Sequence, residues 1–299
     1  MTNACKAASS LKALLHRGRI VTAPGAYDAQ SALLIEQAGF DAIYLTGNGQ
    51  TASMLGLPDV GLITLTEMSE RVRCTRAVTR VPLIADADVG YGSMISVRRA
   101  MHELEAAGAS AVQFEDQVSP KKCGHELGRE IVTTDEMVRR LRAAVDGRQN
   151  SDTLIIARTD ARTTHGLKEA ILRGRAYAGA GADIIFVESP ESEAELAEVA
   201  SSIPAPTLAN MVESGRSPYL SADRLGELGF AVAIYPVTAI LAATFAVRAA
   251  VAQLRRHGRL VDMSRITTLE EYHSVLSFSQ YAALDAGLRA PISDSEPHH

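Results

Sequence analysis

Eight short apolar runs punctuate the chain, at 20–23, 42–45, 83–86, 111–114, 154–157, 184–187, 207–210 and 232–235. Each is near-continuously apolar rather than alternating, the pattern of strands covered on both faces within a parallel sheet. Helical patterns with a 3.6-residue period separate them. Met137, Leu141, Ala144 and Val145 carry one stripe, and Ile240, Ala243, Val247, Ala250, Val251 and Leu254 another. A first helix is expected around 7–17. Thr64 with Glu67, Thr133 with Glu136 and Ser192 with Glu195 read as capping boxes. Gly39, Gly108, Gly181 and Gly229 read as helix ends ahead of the next strand. A weak repeat (Ala38-Gly39-Phe40-Asp41-Ala42, Ala107-Gly108-Ala109-Ser110-Ala111, Ala180-Gly181-Ala182-Asp183-Ile184) returns about every 70 residues, roughly two strand–helix units.

Eight such units predict an α/β chain folded as a (β/α)8 TIM barrel. An open doubly wound sheet competes with it, but the first strand leads into Pro24-Gly25-Ala26-Tyr27 rather than a dinucleotide fingerprint. The expected organisation is a barrel catalytic domain over 1–258, a C-terminal helical extension over 259–290 and a tail over 291–299. Helices near 269–276 and 280–287 carry Tyr272, Leu276, Phe278, Tyr281 and Leu284, too apolar a set for a free tail.

A formal net charge of -5 and a pI near 5.9 argue against nucleic acid or an anionic membrane as partner and leave a small-molecule substrate. No apolar run approaches the roughly 18 residues of a membrane span, and the N-terminus lacks a signal-peptide layout. The three cysteines, Cys5, Cys74 and Cys123, make no disulfide framework, which suits the reducing cytoplasm. Cys5 and Cys74 are expected to pack inside helical patterns.

Barrel enzymes carry their chemistry at the C-terminal ends of the strands. Those positions hold Thr46-Gly47-Asn48, Asp86 and Asp88, Glu115, Arg158 with Asp160, Glu188 and Asn210. One charge at a strand end is as often a solvated loop residue as not; six charges and Asn210, seven groups on one rim, are hard to explain that way. Asp86, Asp88 and Glu115, with Asp59 from the loop after the second strand, are hard oxygen ligands that favour Mg2+ or Mn2+ over zinc. Acidic helix caps are the competing reading, best suited to Asp59. Arg158 offers a planar fork for a substrate carboxylate, against a structural pair with Glu188. Val89-Gly90-Tyr91-Gly92 is a weak phosphate-cradle signal and reads better as a loosened turn. The loop from Glu115 crowds Lys121, Lys122, Cys123 and His125 between Pro120 and Gly124. A thiol beside a cation and near an imidazole has its acidity tuned, so the loop reads as a mobile catalytic segment. Metal, arginine fork and thiol together suit cleavage of a C–C bond beside a carboxylate. The aci-carboxylate left behind needs a proton from the opposite face, which Cys123 would deliver.

The runs Pro24-Gly25-Ala26-Tyr27-Asp28-Ala29, Gly56-Leu57-Pro58-Asp59, Asp86-Ala87-Asp88-Val89-Gly90-Tyr91-Gly92, Glu115-Asp116-Gln117, Lys121-Lys122-Cys123-Gly124-His125, Ala157-Arg158-Thr159-Asp160 and Asn210-Met211-Val212-Glu213 resemble the isocitrate lyase/phosphoenolpyruvate mutase superfamily over nearly the whole chain. The Cys-Gly-His loop resembles its C–C lyase branch. The resemblance implies a Mg2+-dependent lyase, acting on a di- or tricarboxylate, assembled as a homotetramer of helix-swapped dimers through the eighth helix. It implies that Asp86 binds the metal directly and that Asp59, Asp88 and Glu115 do so through water. Tyr44, Thr46, Gly47 and Arg158 would hold the 2-oxo acid half, with Asn48 at a variable substrate-contacting position. Cys123 would be the acid, in a catalytic set with Tyr44, Lys121 and His125, while Gly124, His125, Glu188 and Asn210 would surround the second carboxylate.

Val212 departs from the isocitrate and methylisocitrate lyases, which it resembles less because they carry a hydroxyl residue there. An apolar side chain does not offset the desolvation of a further carboxylate. The expected substrate is therefore a 2-alkyl- or 2,3-dialkylmalate, with 2-methylisocitrate as the alternative. Oxaloacetate cleavage and carboxyphosphonoenolpyruvate phosphonomutase activity rank below both. Ser214 and Arg129 stand where glycine and lysine are commoner in the branch that the chain resembles.

Overall fold

The computed structural model describes residues 11–124, 126 and 128–289. Cys5, His125 and the tail over 291–299 lie outside the described residues. Eight parallel strands close into a barrel in chain order: β1 (Val21–Ala26), β2 (Ile43–Leu45), β3 (Leu83–Asp86), β4 (Ala111–Glu115), β5 (Leu154–Thr159), β6 (Ile184–Val187), β7 (Thr207–Asn210) and β8 (Val232–Tyr235). Every expected apolar run is a strand. β1 runs past its expected end because its two neighbours are staggered: it meets β8 from Val21 to Pro24 and β2 at Gly25 and Ala26.

The apolar side chains sort into two cores, as strands covered on both faces require. Val21, Ala23, Tyr44, Ile84, Ile156, Phe186, Leu208 and Ile234 belong to one cluster, together with Leu11 and Leu14 from a helical turn at 11–15. Leu45, Leu83, Val112, Ile155 and Ile185 join Met68, Met101, Leu104, Met137, Leu141 and Tyr177 from the surrounding helices in the other. Helices Met94–Ala107 and Thr134–Gly147 approach so closely that a Cβ on Gly147 would lie 2.2 Å from the Arg98 carbonyl oxygen.

Gly39, Gly108, Gly181 and Gly229 have φ of 85, 108, 103 and 99°, so each ends its helix in a conformation open to residues without a Cβ. Of the three expected capping boxes, Thr64–Glu67 is reciprocal. Thr133 and Ser192 accept the Glu136 and Glu195 amides, but Glu136 turns to Arg140, and Glu195 to Arg162 and the Glu191 amide. Charge-assisted bonds outcompete the return bond. Cys74, expected to be packed, is exposed, with Sγ 3.3 Å from Glu70.

The chain divides into two compact units, the first ending at Ala243 and the second starting at Thr244. The first contains the barrel. In the second lie most of the helix Thr238–His257 and the helices Leu269–Val275 and Phe278–Leu288. Among the described residues none of the side chains of these three helices is buried. Phe245, Val247 and Val251 are exposed along the first of them. By length and composition Thr238–His257 would suffice to cross a membrane, which corrects the expectation that no run reaches that length. One such helix is weak evidence for a span; an apolar stripe awaiting a protein partner has the same composition.

Candidate active site

Register builds the site. β3 and β4 pair Asp86 with Gln113, and β4 and β5 pair Glu115 with Arg158, so these groups stand side by side at the strand ends. The Tyr44 hydroxyl donates to Gln113 Oε1 at 3.1 Å, and Gln113 Nε2 donates to Asp86 Oδ1 at 3.2 Å. The other Asp86 oxygen accepts the Gly47 amide at 3.1 Å. That amide opens the helix Gly47–Leu55, whose N-cap is Thr46. Its Gly-Asn-Gly start has poor helix propensity, which hid it in the sequence. The small residues are needed for close approach, since a Cβ on Gly49 would meet the Thr46 side chain at 2.7 Å.

Lys121 lies inside the acidic cluster. Its buried ammonium donates to Asp59 and stands 2.8 Å from Asp88 Oδ1. Burial alone would lower its pKa, but Asp88, Glu115, Asp59 and Asp86 outweigh that and hold it well above the usual lysine value. Asp88 is pushed up to about 6, first by burial and then by Asp86 and Asp59, with Lys121 opposing. Glu115 is raised well above the carboxylate range by burial, against the pull of Arg158 and Lys121. Burial likewise raises Tyr44 well above the usual phenol value, so it is a neutral donor.

The four acids expected to bind metal therefore share one rim, but not as a ready cage. Among the described residues no group of three or more His, Cys, Asp or Glu is arranged to hold an ion. Lys121 supplies a cation between Asp59 and Asp88 instead. The donor set nevertheless suits a hard cation. Both Glu115 oxygens are buried and accept no hydrogen bond from any described residue, and such acceptors fit a metal's water shell.

Arg158 is buried and lies 5.3 Å from the Phe186 ring centroid. It pairs with Asp160 at 2.9 Å and Glu115 at 3.2 Å, with Glu188 farther away at 3.7 Å. Glu188 is fixed by Asn210 at 3.0 Å and by the Ser189 hydroxyl at 2.9 Å. Gly124 crosses this group so closely that a Cβ would come within 2.4 Å of Arg158 Nη2, and its carbonyl accepts from Ser189 at 3.3 Å. Tyr44, Thr46, Asn48, Asp59, Asp86, Cys123, Gly124, Arg158, Glu188, Asn210 and Val212 all line one cavity of about 310 Å³, with Phe186, Ile234, Pro236, Val237 and Leu241 as its apolar wall. Glu115, Asp88, Gly47 and Lys121 stand behind the lining through the contacts above. The tight turn at Val89–Gly92, with positive φ at Gly90, Tyr91 and Gly92, borders a different cavity, of about 490 Å³, beside Lys121.

Sequence reading missed the support behind Arg158. Asp116 is buried and accepts from the Asp160 amide at 2.9 Å, Thr159 at 2.7 Å and Tyr177 at 2.8 Å, with Arg173 at 3.1 Å. Tyr177 had only its place in an apolar helix to show for this.

The phosphoenolpyruvate phosphomutase family model matches residues 11–255. A 2,3-dimethylmalate lyase of Eubacterium barkeri is 54% identical over 237 residues, 79% of this chain and 82% of the relative. A 2-methylisocitrate lyase of Aeropyrum pernix is 43% identical over 277 residues, 92% of this chain and 89% of that protein. Among solved structures, an oxaloacetate acetylhydrolase bound to the inhibitor 3,3-difluorooxalacetate superposes with a TM-score of 0.90 at 34% identity, covering 95% of this chain and 98% of its own.

Proposed function

The chain belongs to the isocitrate lyase/phosphoenolpyruvate mutase superfamily, and from that membership we propose that it is a Mg2+- or Mn2+-dependent carbon–carbon lyase. Its substrate would be a 2-alkyl- or 2,3-dialkylmalate, split into a 2-oxo acid and a simple carboxylate. The observation that carries this reading is that Cys123, Arg158 and Asp86 line one cavity. It thereby joins a thiol, a carboxylate-binding cation and a hard-metal ligand around a space fit for a small dicarboxylate.

Arg158 binds the carboxylate of the 2-oxo acid half, and Tyr44 donates to its oxygens, with Thr46, Gly47 and Asn48 beside them. Gly124, Glu188 and Asn210 surround the second carboxylate, a role proposed for His125 as well. Asp86, with Asp59, Asp88 and Glu115 around it, would hold the divalent ion, which supplies Lewis-acid neutralisation of the substrate oxygens. The C2 hydroxyl gives its proton to a carboxylate of the site. The C2–C3 bond then breaks with its electron pair going to the C3 fragment, and the Cys123 thiol protonates that carbon. The proton lost by the hydroxyl returns to the thiolate and closes the cycle. Lys121 balances the acids and ties the Cys123 loop to Asp59 and Asp88.

Val212 lines the cavity and offers no donor to a third carboxylate. The longer match to the archaeal relative favours 2-methylisocitrate as the second reading. Release of 2-oxo acid from citramalate, 2,3-dimethylmalate and 2-methylisocitrate, and of oxalate from oxaloacetate, with Mg2+ and with EDTA, decides between them. The malates should be consumed in a Mg2+-dependent way, and Cys123→Ser should lower kcat by about 10²–10⁴. Full activity of that variant would remove the acid role. If Val212 sets the pocket, Val212→Thr raises turnover of the tricarboxylate; unchanged turnover refutes it. We further propose a cytoplasmic location, and a homotetramer of helix-swapped dimers, the assembly being supported by the exposed apolar stripe of Thr238–His257.

A further inference from the structure

We infer that Arg129 is a positioning residue for Arg158: it takes up the charge of Asp160 and so leaves Arg158 to bind an anion. The inference rests on the proposed role of Arg158 in holding the 2-oxo acid half.

Arg129 is 4% exposed and Asp160 fully buried. One oxygen, Asp160 Oδ1, accepts from both arginines, from Arg129 Nη1 and from Arg158 Nη2, the latter at 2.9 Å. The second arm of Arg129 donates to Thr163. The backbone that carries Asp160 is held in place, because Asp116, itself held by Thr159, Tyr177 and Arg173, accepts its amide. Without Arg129, Arg158 alone among the described residues would pair with Asp160, while it already pairs with Glu115 and lies 3.7 Å from Glu188. Its guanidinium would then be committed to protein acids, and an incoming anion would have to compete with them at low dielectric. A second buried cation on Asp160 removes that competition. Arg129 lies in the same connection between β4 and the helix Thr134–Gly147 that carries Cys123, so the charge that frees Arg158 and the proposed acid come from one segment.

The test is calorimetric titration of oxalate, an analogue of a 2-oxo acid enolate, into the Mg2+-loaded protein. Arg129→Met should weaken oxalate by about tenfold or more, the scale of removing one partner of a buried charge pair, while Arg129→Lys stays within about threefold. Adding Asp160→Asn to Arg129→Met removes the uncompensated acid and should restore affinity to within about threefold of wild type. A single Met variant that binds normally, or a double variant that stays tenfold weak, overturns the inference. If the single variant does not fold, the double variant, which buries no unpaired charge, is compared directly with wild type by the same limits. Wild-type protein that fails to bind oxalate with Mg2+ would take down the 2-oxo acid reading and this inference together. Normal wild-type binding isolates the failure to Arg129.

Discussion

At the scale of single residues, Asp88 and Ser214 make the sharpest statements. A carboxyl raised from 3.8 to about 6 in the fold contributes stability that is complete below the unfolded value and is lost as pH rises through about 6. In metal-free protein with EDTA, the Asp88 contribution should therefore fall with a slope approaching 1.4 kcal/mol per pH unit between those values. Melting temperatures followed across that window should fall less steeply in Asp88→Asn than in wild type, the remaining slope coming from Glu115, which burial also raises. Ser214 has a φ of 62°, a left-handed conformation that costs a residue with a Cβ about 1 kcal/mol. Ser214→Gly should recover roughly that amount, read as a higher denaturant midpoint, offset in part by the greater unfolded-state freedom of glycine. That position was visible in the sequence as a departure from the family pattern, but its cause was not, because φ depends on the fold. The same division holds in the site. The acids at the ends of β3, β4 and β6 were legible because one rule puts strand ends on one rim. The placement of Lys121 on Asp59, 62 positions away, was not, since no local pattern encodes a contact between two loops. Arg158 was read with Glu188 as its competing partner; that pair is present at 3.7 Å, but the register adds Glu115 and the chain two residues on adds Asp160, both nearer.

Elements were read best where burial decides them. All eight strands answer to apolar runs because both faces are covered, and such a signal survives without any partner in view. The helix Gly47–Leu55 went unread because its first turn is held by Asp86 and by close packing rather than by propensity. The same dependence on neighbours makes Gly147 sensitive. Its position 2.2 Å, Cβ to oxygen, from the Arg98 carbonyl leaves no space for a methyl, so Gly147→Ala should push two helices apart. Overpacking of this kind costs about 1–3 kcal/mol, to be measured by urea denaturation, and it should leave substrate specificity unchanged because the site lies on the strand ends.

For the whole molecule the question is what covers Phe245, Val247 and Val251, which are 65, 60 and 53% exposed. Light scattering coupled to size exclusion should give a mass near four times 31.9 kDa. Phe245→Glu, which sets a charge in the stripe, should yield smaller species; a wild-type mass of one chain would reject the assembly. Within the barrel, the Tyr44–Gln113–Asp86 chain imposes a polarity of its own. An amide accepts at one end and donates at the other, so Gln113 satisfies both neighbours while the phenol donates its hydrogen and Asp86 accepts one. Replacing that amide by an acid of the same shape would take away the donor that faces Asp86 and turn a one-way relay into a quarrel between two acids.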